Sequence, residues 1–180
     1  MLNSQSPTAK SAPALTGSNG ASVMGKIPPD SAPIFIYSEV FDEIINFSHS
    51  TTAREIGGFL LGGFHEDRSR FVEITKFLPA RRTDSAFASL TFTHDTWDQL
   101  NDQISNEFKG LSVLGWHHTH PGFGIFLSHH DLFIHRNFFS QPWQVAMVVD
   151  PRQHELGFFC WAEDEIVNCG FVLVPGSPEI

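Results

Sequence analysis

Hydrophobic and polar positions divide this chain into an unpatterned opening and a strongly patterned remainder. Residues 1–30 are rich in Ser, Ala, Pro and Gly and show no apolar period. Such a segment buries too little surface to offset the entropy of ordering, so it reads as a disordered tail. From Ile34 the pattern changes. IFIY is a short strand, and Ser38 is placed to cap a helix with Val40, Phe41, Ile44 and Ile45 on one face. EIGGFLLGGF (55–64) is apolar and glycine-rich, the signature of a buried strand closely approached by other backbone. RFVEITKFLPA (70–80) alternates as a strand does, and residues 81–92 read as a loop or irregular edge.

A second helix is predicted from Thr93 or His94, with Trp97, Leu100, Ile104 and Phe108 at three- and four-residue steps and Gly110 as its stop. LSVLGWHH (111–118) is a strand, followed by a Gly/Pro loop. Ser128 opens a third, shorter helix to about Phe138. WQVAMVVD (143–150), LGFFCWA (156–162) and a last strand from about Ile166 to Val174 complete the set. Strands interleaved with about three helices predict an α/β or α+β domain, a mixed sheet sandwiched by helices, over residues 31–176. Residues 177–180 are left as a short tail.

Composition narrows the function. With 41% hydrophobic and 17% charged residues, the 180-residue chain is globular and long enough for a real core. A net charge of −9 without any basic run argues against a nucleic-acid partner. No run approaches the roughly 18 apolar residues of a membrane span, and no signal-peptide core is present, so the expectation is a cytoplasmic protein with no membrane partner. Cys160 and Cys169 match no metal or redox spacing and read as small buried apolar residues.

The candidate chemistry lies among the histidines. Five of the ten, His117, His118, His120, His129 and His130, fall within fourteen residues. His118 and His120, at i and i+2 on an extended chain, point to one face. Six residues separate Pro121 from Ser128, and two more separate Ser128 from Asp131, in the first turn of a helix, whose carboxylate can swing back to the same point. Two imidazoles and a carboxylate suit Zn²⁺ and leave a fourth position for water. Taken alone, Ser128-x-x-Asp131 reads first as a helix-capping pair. The full string HxHPx₆SxxD arises by chance only about once in 10⁴ sequences of this composition.

GWHHTHPGFGIFLSHHD resembles the signature of the JAMM (MPN⁺) metalloproteases, and EIGGFLLG and WQVAMVVDP resemble that family's Glu-bearing strand and the strand after its motif helix. The likeness covers roughly residues 34–174. It implies a zinc hydrolase of compact, deubiquitinase-like type, with His118, His120 and Asp131 as metal ligands. It also implies Glu55 as general acid/base and Ser128 as a stabiliser of the oxyanion. The implied substrate is a ubiquitin-like protein or its conjugate, with an activating protein partner as a further possibility. A sulfur-carrier precursor peptidase is an alternative, as is a non-catalytic MPN-type scaffold, though scaffold members usually lack the ligands. His117, His129 and His130 are expected to be packing or solvated residues. His135, four residues after Asp131, could share its helical face, with contact behind the ligands as the lesser reading, and His49, His65, His94 and His154 are expected as isolated surface residues.

Overall fold

A computed structural model describes residues 6–13, 20–80, 100, 102–104 and 106–178. The strands are β1 (Thr8–Ala9), β2 (Ser22–Met24), β3 (Ile34–Tyr37), β4 (Gly57–Glu66), β5 (Arg70–Pro79), β6 (Ser112–Thr119), β7 (Val145–Asp150), β8 (Glu155–Ala162), β9 (Glu165–Cys169) and β10 (Phe171–Val174). Helix α1 (Ser38–Ser48) follows β3, and helix α2 (His129–Phe138) lies between β6 and β7. The described residues between 100 and 107 are helical, in agreement with the Leu100–Ile104 stripe; Thr93, His94, Trp97 and the expected loop at 81–92 lie outside the described residues.

The strands form one mixed sheet in the order β2-β10-β3-β5-β4-β6-β7-β8-β9, with β1 added beside β4. Both faces of its centre are covered, which is why the central strands are continuous apolar runs. Along β7, Val145, Met147 and Val149 join the core under α1, whereas Ala146 and Val148 join the core under α2. The α1 core also holds Ile44, Leu60, Ile74 and Phe158; the α2 core holds Phe59, Leu61, Ile134 and Phe139. Truncating Phe139, which is fully buried, would cost about 3–5 kcal/mol.

One irregularity decides where the histidines go. Leu60 pairs with Gly115 but Leu61 with Val113, so Leu114 is an extra residue on β6. Such a bulge reverses the alternation beyond it. Val113 and Trp116 consequently share the α2 face, while Leu114 faces α1. His118 continues the α2 face two residues after Trp116, and His117 takes the α1 face. Gly115 sits at this point because any Cβ there would run into the Val145 carbonyl of β7.

Several expectations need correction. Residues 1–30 are not uniformly a disordered tail: Ser22–Met24 pairs antiparallel with β10, and Thr8–Ala9 pairs parallel with His65 and Glu66 of β4. β2 attaches by backbone hydrogen bonds to the outer side of β10, and β1 to the end of β4 beyond its pairing with β6, which composition does not report. The single last strand is two. Gly170 breaks it, β9 stays with β8, and β10 crosses to lie between β2 and β3. Ser38 does not cap α1; its hydroxyl instead accepts from the Gly176 N–H at 2.9 Å, fastening the C-terminal segment. Both cysteines are buried free thiols, as expected.

Candidate metal centre

The β6 strand ends at Thr119, and the chain beyond it is pinned from two sides. His120 N–H donates to the Val149 carbonyl at 2.9 Å, continuing the line of β7. Thr119 grips the opposite neighbour: its N–H donates to the Ile56 carbonyl at 2.8 Å, and its hydroxyl accepts the Ile56 N–H at 2.9 Å. That double bond ties the residue between the two histidines to the residue after Glu55. Glu55 itself is not on a strand, contrary to the expectation, but in the lead-in to β4, which starts at Gly57.

Three of the expected residues come together. His118 and His120 Nε2 lie 2.9 Å apart, and each is 3.5 Å from a different oxygen of Asp131. All three residues are buried, and among the described residues this is a group able to hold a metal ion. Asp131 reaches it from the third position of α2 while also closing the helix end. The Ser128 N–H donates to Asp131 Oδ2 at 2.7 Å, and the Asp131 N–H donates to Ser128 Oγ at 3.2 Å. The capping and ligand readings of Ser128-x-x-Asp131 are therefore compatible: one carboxylate oxygen set serves both.

Electrostatics favour separated charge here. Burial disfavours the His120 cation, but the hydrogen bond and charge of Asp131, the charge of Glu55 and the Gly124 carbonyl outweigh it and raise the His120 pKa. Asp131 would be raised by burial, yet hydrogen bonding from His118, His120 and Ser128 holds it far below the ordinary carboxylate range. His117 packs on the other face as expected of a non-ligand. Its Nδ1 is 3.1 Å from the Met147 carbonyl and its Nε2 2.9 Å from Ser48 Oγ, and burial, with the nearby His118, pushes its pKa down to about 3. His129 and His130 are exposed on α2.

Sequence reasoning missed two supports. Asp150, fully buried, accepts the N–H groups of Gly122 and Gly124 at 2.8 Å and of Arg152 at 2.9 Å, and it also takes that of Gln153. Burial opposes its charge, but these four donors bring its pKa to about 2. It thereby anchors the loop that follows Pro121, in which Gly122 and Gly124 both take positive φ. The Asp-Pro pair after a strand was the available signal for such a turn. Thr119 is the other miss. His49 and His154 are not isolated either: their rings stack 5.5 Å apart, and His65 lies 3.3 Å from Glu73. His94 lies outside the described residues.

Comparison with known proteins identifies the family. Residues 30–141 match the family model described as JAB1/Mov34/MPN/PAD-1 ubiquitin protease. The chain is 30% identical over 164 residues to the 26S proteasome regulatory subunit rpn11 of Schizosaccharomyces pombe, covering 88% of this chain and 52% of the relative. It is 28% identical over 126 residues to the ubiquitin carboxyl-terminal hydrolase RPN11 of Saccharomyces cerevisiae, covering 69% of this chain and 40% of the relative. The chain thus spans about half or less of the length of these relatives. A solved protein of Desulfitobacterium hafniense shares the fold at TM-score 0.56 and 18% identity, over 81% of this chain and 94% of that one. No helix among the described residues is long and apolar enough to cross a membrane. By the extent of the family match and the identity to rpn11, this chain belongs to the JAB1/Mov34/MPN/PAD-1 family.

Proposed function

We propose that the chain is a zinc-dependent isopeptidase or peptidase acting at the C-terminal tail of ubiquitin or a ubiquitin-like modifier. The observation that carries this reading is the convergence of His118, His120 and Asp131, with Glu55 close enough to bias His120. Tetrahedral bonds of about 2.0 Å put ligand atoms about 3.3 Å apart. The donor separations here, 2.9 and 3.5 Å, bracket that edge. Two nitrogens and one oxygen from protein also leave a tetrahedral position unfilled, as catalytic zinc requires.

Zinc bound by these three residues would supply Lewis acidity, acidifying a water and polarising the scissile carbonyl. The remaining work falls to the chain. Glu55 takes a proton from the attacking water and delivers it to the leaving amine, so that water adds across the C–N bond as it breaks. Ser128 accepts one hydrogen bond from the Asp131 N–H, which leaves its own O–H to donate to the oxyanion. Asp150 and Thr119 hold the two segments in register. The named activity of the RPN11 relative supports a ubiquitin-type substrate.

The test compares wild type with Glu55→Gln and His118→Ala, reading zinc content and cleavage of modifier fusions that carry a C-terminal extension. About one zinc per chain, retained by Glu55→Gln and lost by His118→Ala, with cleavage by wild type only, supports the reading. A wild type that takes up no zinc under metal-replete conditions sinks it.

A further inference from the structure

We infer that His135 is a positioning residue for the metal centre, acting through Trp116 to fix two ligands against each other; this rests on the metal-centre reading above. His118 sits on β6 and Asp131 on α2, so the separation of these ligands depends on what fixes helix against strand. Among the described residues, a buried polar bond joins the two elements directly behind the ligands. Trp116 Nε1–H donates to His135 Nδ1 at 3.1 Å. Trp116 precedes His118 by two residues on the same face of β6, and His135 follows Asp131 by four on the same face of α2.

Both ends of this link reach a ligand. The Trp116 ring lies on the His118 ring with centroids 4.5 Å apart and planes within 8°. The imidazole cannot tilt toward β6 without displacing the indole. The indole is held in its own plane by the bond to His135 and backed by Phe139 at 5.9 Å. His135 is in turn stacked between Trp161 at 5.5 Å and Phe139 at 6.0 Å. His135, Trp116 and His118 are each at most 1% exposed, so no water competes for the bond.

The chemistry of His135 fits positioning better than ordinary core packing. Because Nδ1 accepts, the proton of the neutral ring must sit on Nε2. Among the described residues that buried nitrogen has no partner. An orphaned buried donor costs about 1–3 kcal/mol, and an apolar side chain of similar size would avoid it. What the histidine provides here and an apolar side chain could not is an acceptor for the Trp116 N–H.

Metal binding separates positioning from a merely structural role. The full-length chain, stripped of metal, is titrated with Co²⁺ alone, following its visible absorption and its affinity by chelator competition. His135→Leu removes the acceptor and the orphan together, and His135→Gln supplies a replacement acceptor. His135→Leu should weaken Co²⁺ binding by about 10-fold or more and alter the absorption band, with melting temperature little changed, because outer partners of ligands are worth about 10–100-fold. His135→Gln should bind within a few-fold of wild type. Should His135→Leu not fold, Trp116→Phe, which keeps a stacked ring and loses the N–H, should weaken binding in the same direction. Wild-type affinity and spectrum in His135→Leu, or in Trp116→Phe, overturns the inference. Equal loss in the Leu and Gln variants does so too. A wild type that binds no Co²⁺ overturns both this inference and the metal centre, whereas binding unchanged by the variants overturns this one only.

Discussion

Two buried carboxylates, Asp131 of α2 and Glu73 of β5, have surroundings that differ in one respect. Asp131 meets two imidazoles and a helix N-terminus at one end of the sheet; Glu73 of β5, 1% exposed, meets Lys10, His65 and Tyr37 at the other. Glu73 has its counter-charge covalently supplied, since Lys10 of the N-terminal segment reaches it directly and the Tyr37 hydroxyl donates at 2.9 Å. Among the described residues, the ion-pair partners of Asp131 are His118 and His120, with no Lys or Arg. Its partners are two neutral-capable rings whose lone pairs converge. The histidines register the contrast. His120 is raised because Asp131 and Glu55 outweigh its burial, but His65 is lowered, since burial outweighs Glu73 and Lys10 adds to the burial. A buried acid paired with a lysine is a structural joint, whereas one set among converging ring nitrogens is a group able to hold a cation.

The largest expected effect breaks this contrast outright. Asp131→Ala should lower metal affinity by more than about 100-fold, whereas Glu73→Gln should leave it unchanged; equilibrium dialysis with Zn²⁺ reads both. Equal losses in the two variants would show that the ends of the sheet are not functionally distinct. The next effect is on stability against pH in metal-free protein. Burial lowers the His135 pKa from its ordinary 6.5 to about 4, so the unfolded chain binds the proton first as pH falls. Stability from this group is complete above pH 6.5 and declines down to about pH 4, by roughly 3 kcal/mol in total. Urea unfolding of wild type and His135→Gln across that range should show a shallower slope in the variant, with His117 still contributing to both. Third in size is Asp150→Asn, which removes the charge serving four N–H donors. A loss of about 2 kcal/mol is expected, together with faster amide exchange at Gly122 and Gly124.

How far the sequence reveals this centre depends on the range of the interaction. HxHP and SxxD were legible because each is local: strand alternation and one helical turn fix which side chains share a face. The family resemblance supplied Glu55, yet its placement beside the histidines depends on Ile56 and Thr119, 63 positions apart. The Leu114 bulge was invisible for a related reason. Without it, Val113 and His117 would share a face, and no periodicity announces one extra residue on a strand. From sequence Trp116 is no more than a wall of core or cleft and contact behind the ligands is only the lesser reading of His135; their pairing, 19 positions apart, is what informs. The N-terminal strands were missed because a polar segment gains order from sheet edges and from Lys10, neither of which shows as hydrophobic pattern.

That last point carries the smallest prediction. Lys10 is 44% exposed and Glu73 is 1% exposed, so the two ends of the pair have unequal stakes. Lys10→Met frees a side chain that water readily accepts but leaves Glu73 with Tyr37 and His65 as its remaining polar partners. The loss should be about 1 kcal/mol, since an exposed cation contributes modestly. In a Glu73→Gln background the same change should cost less, because no buried charge then lacks its counter-ion. Thermal unfolding of the two single variants and the double variant measures that coupling, with Zn²⁺ affinity unchanged throughout. Additive losses would mean that Lys10 does not neutralise Glu73, and the buried acid would then need another source of positive charge, removing the feature that sets it apart from Asp131.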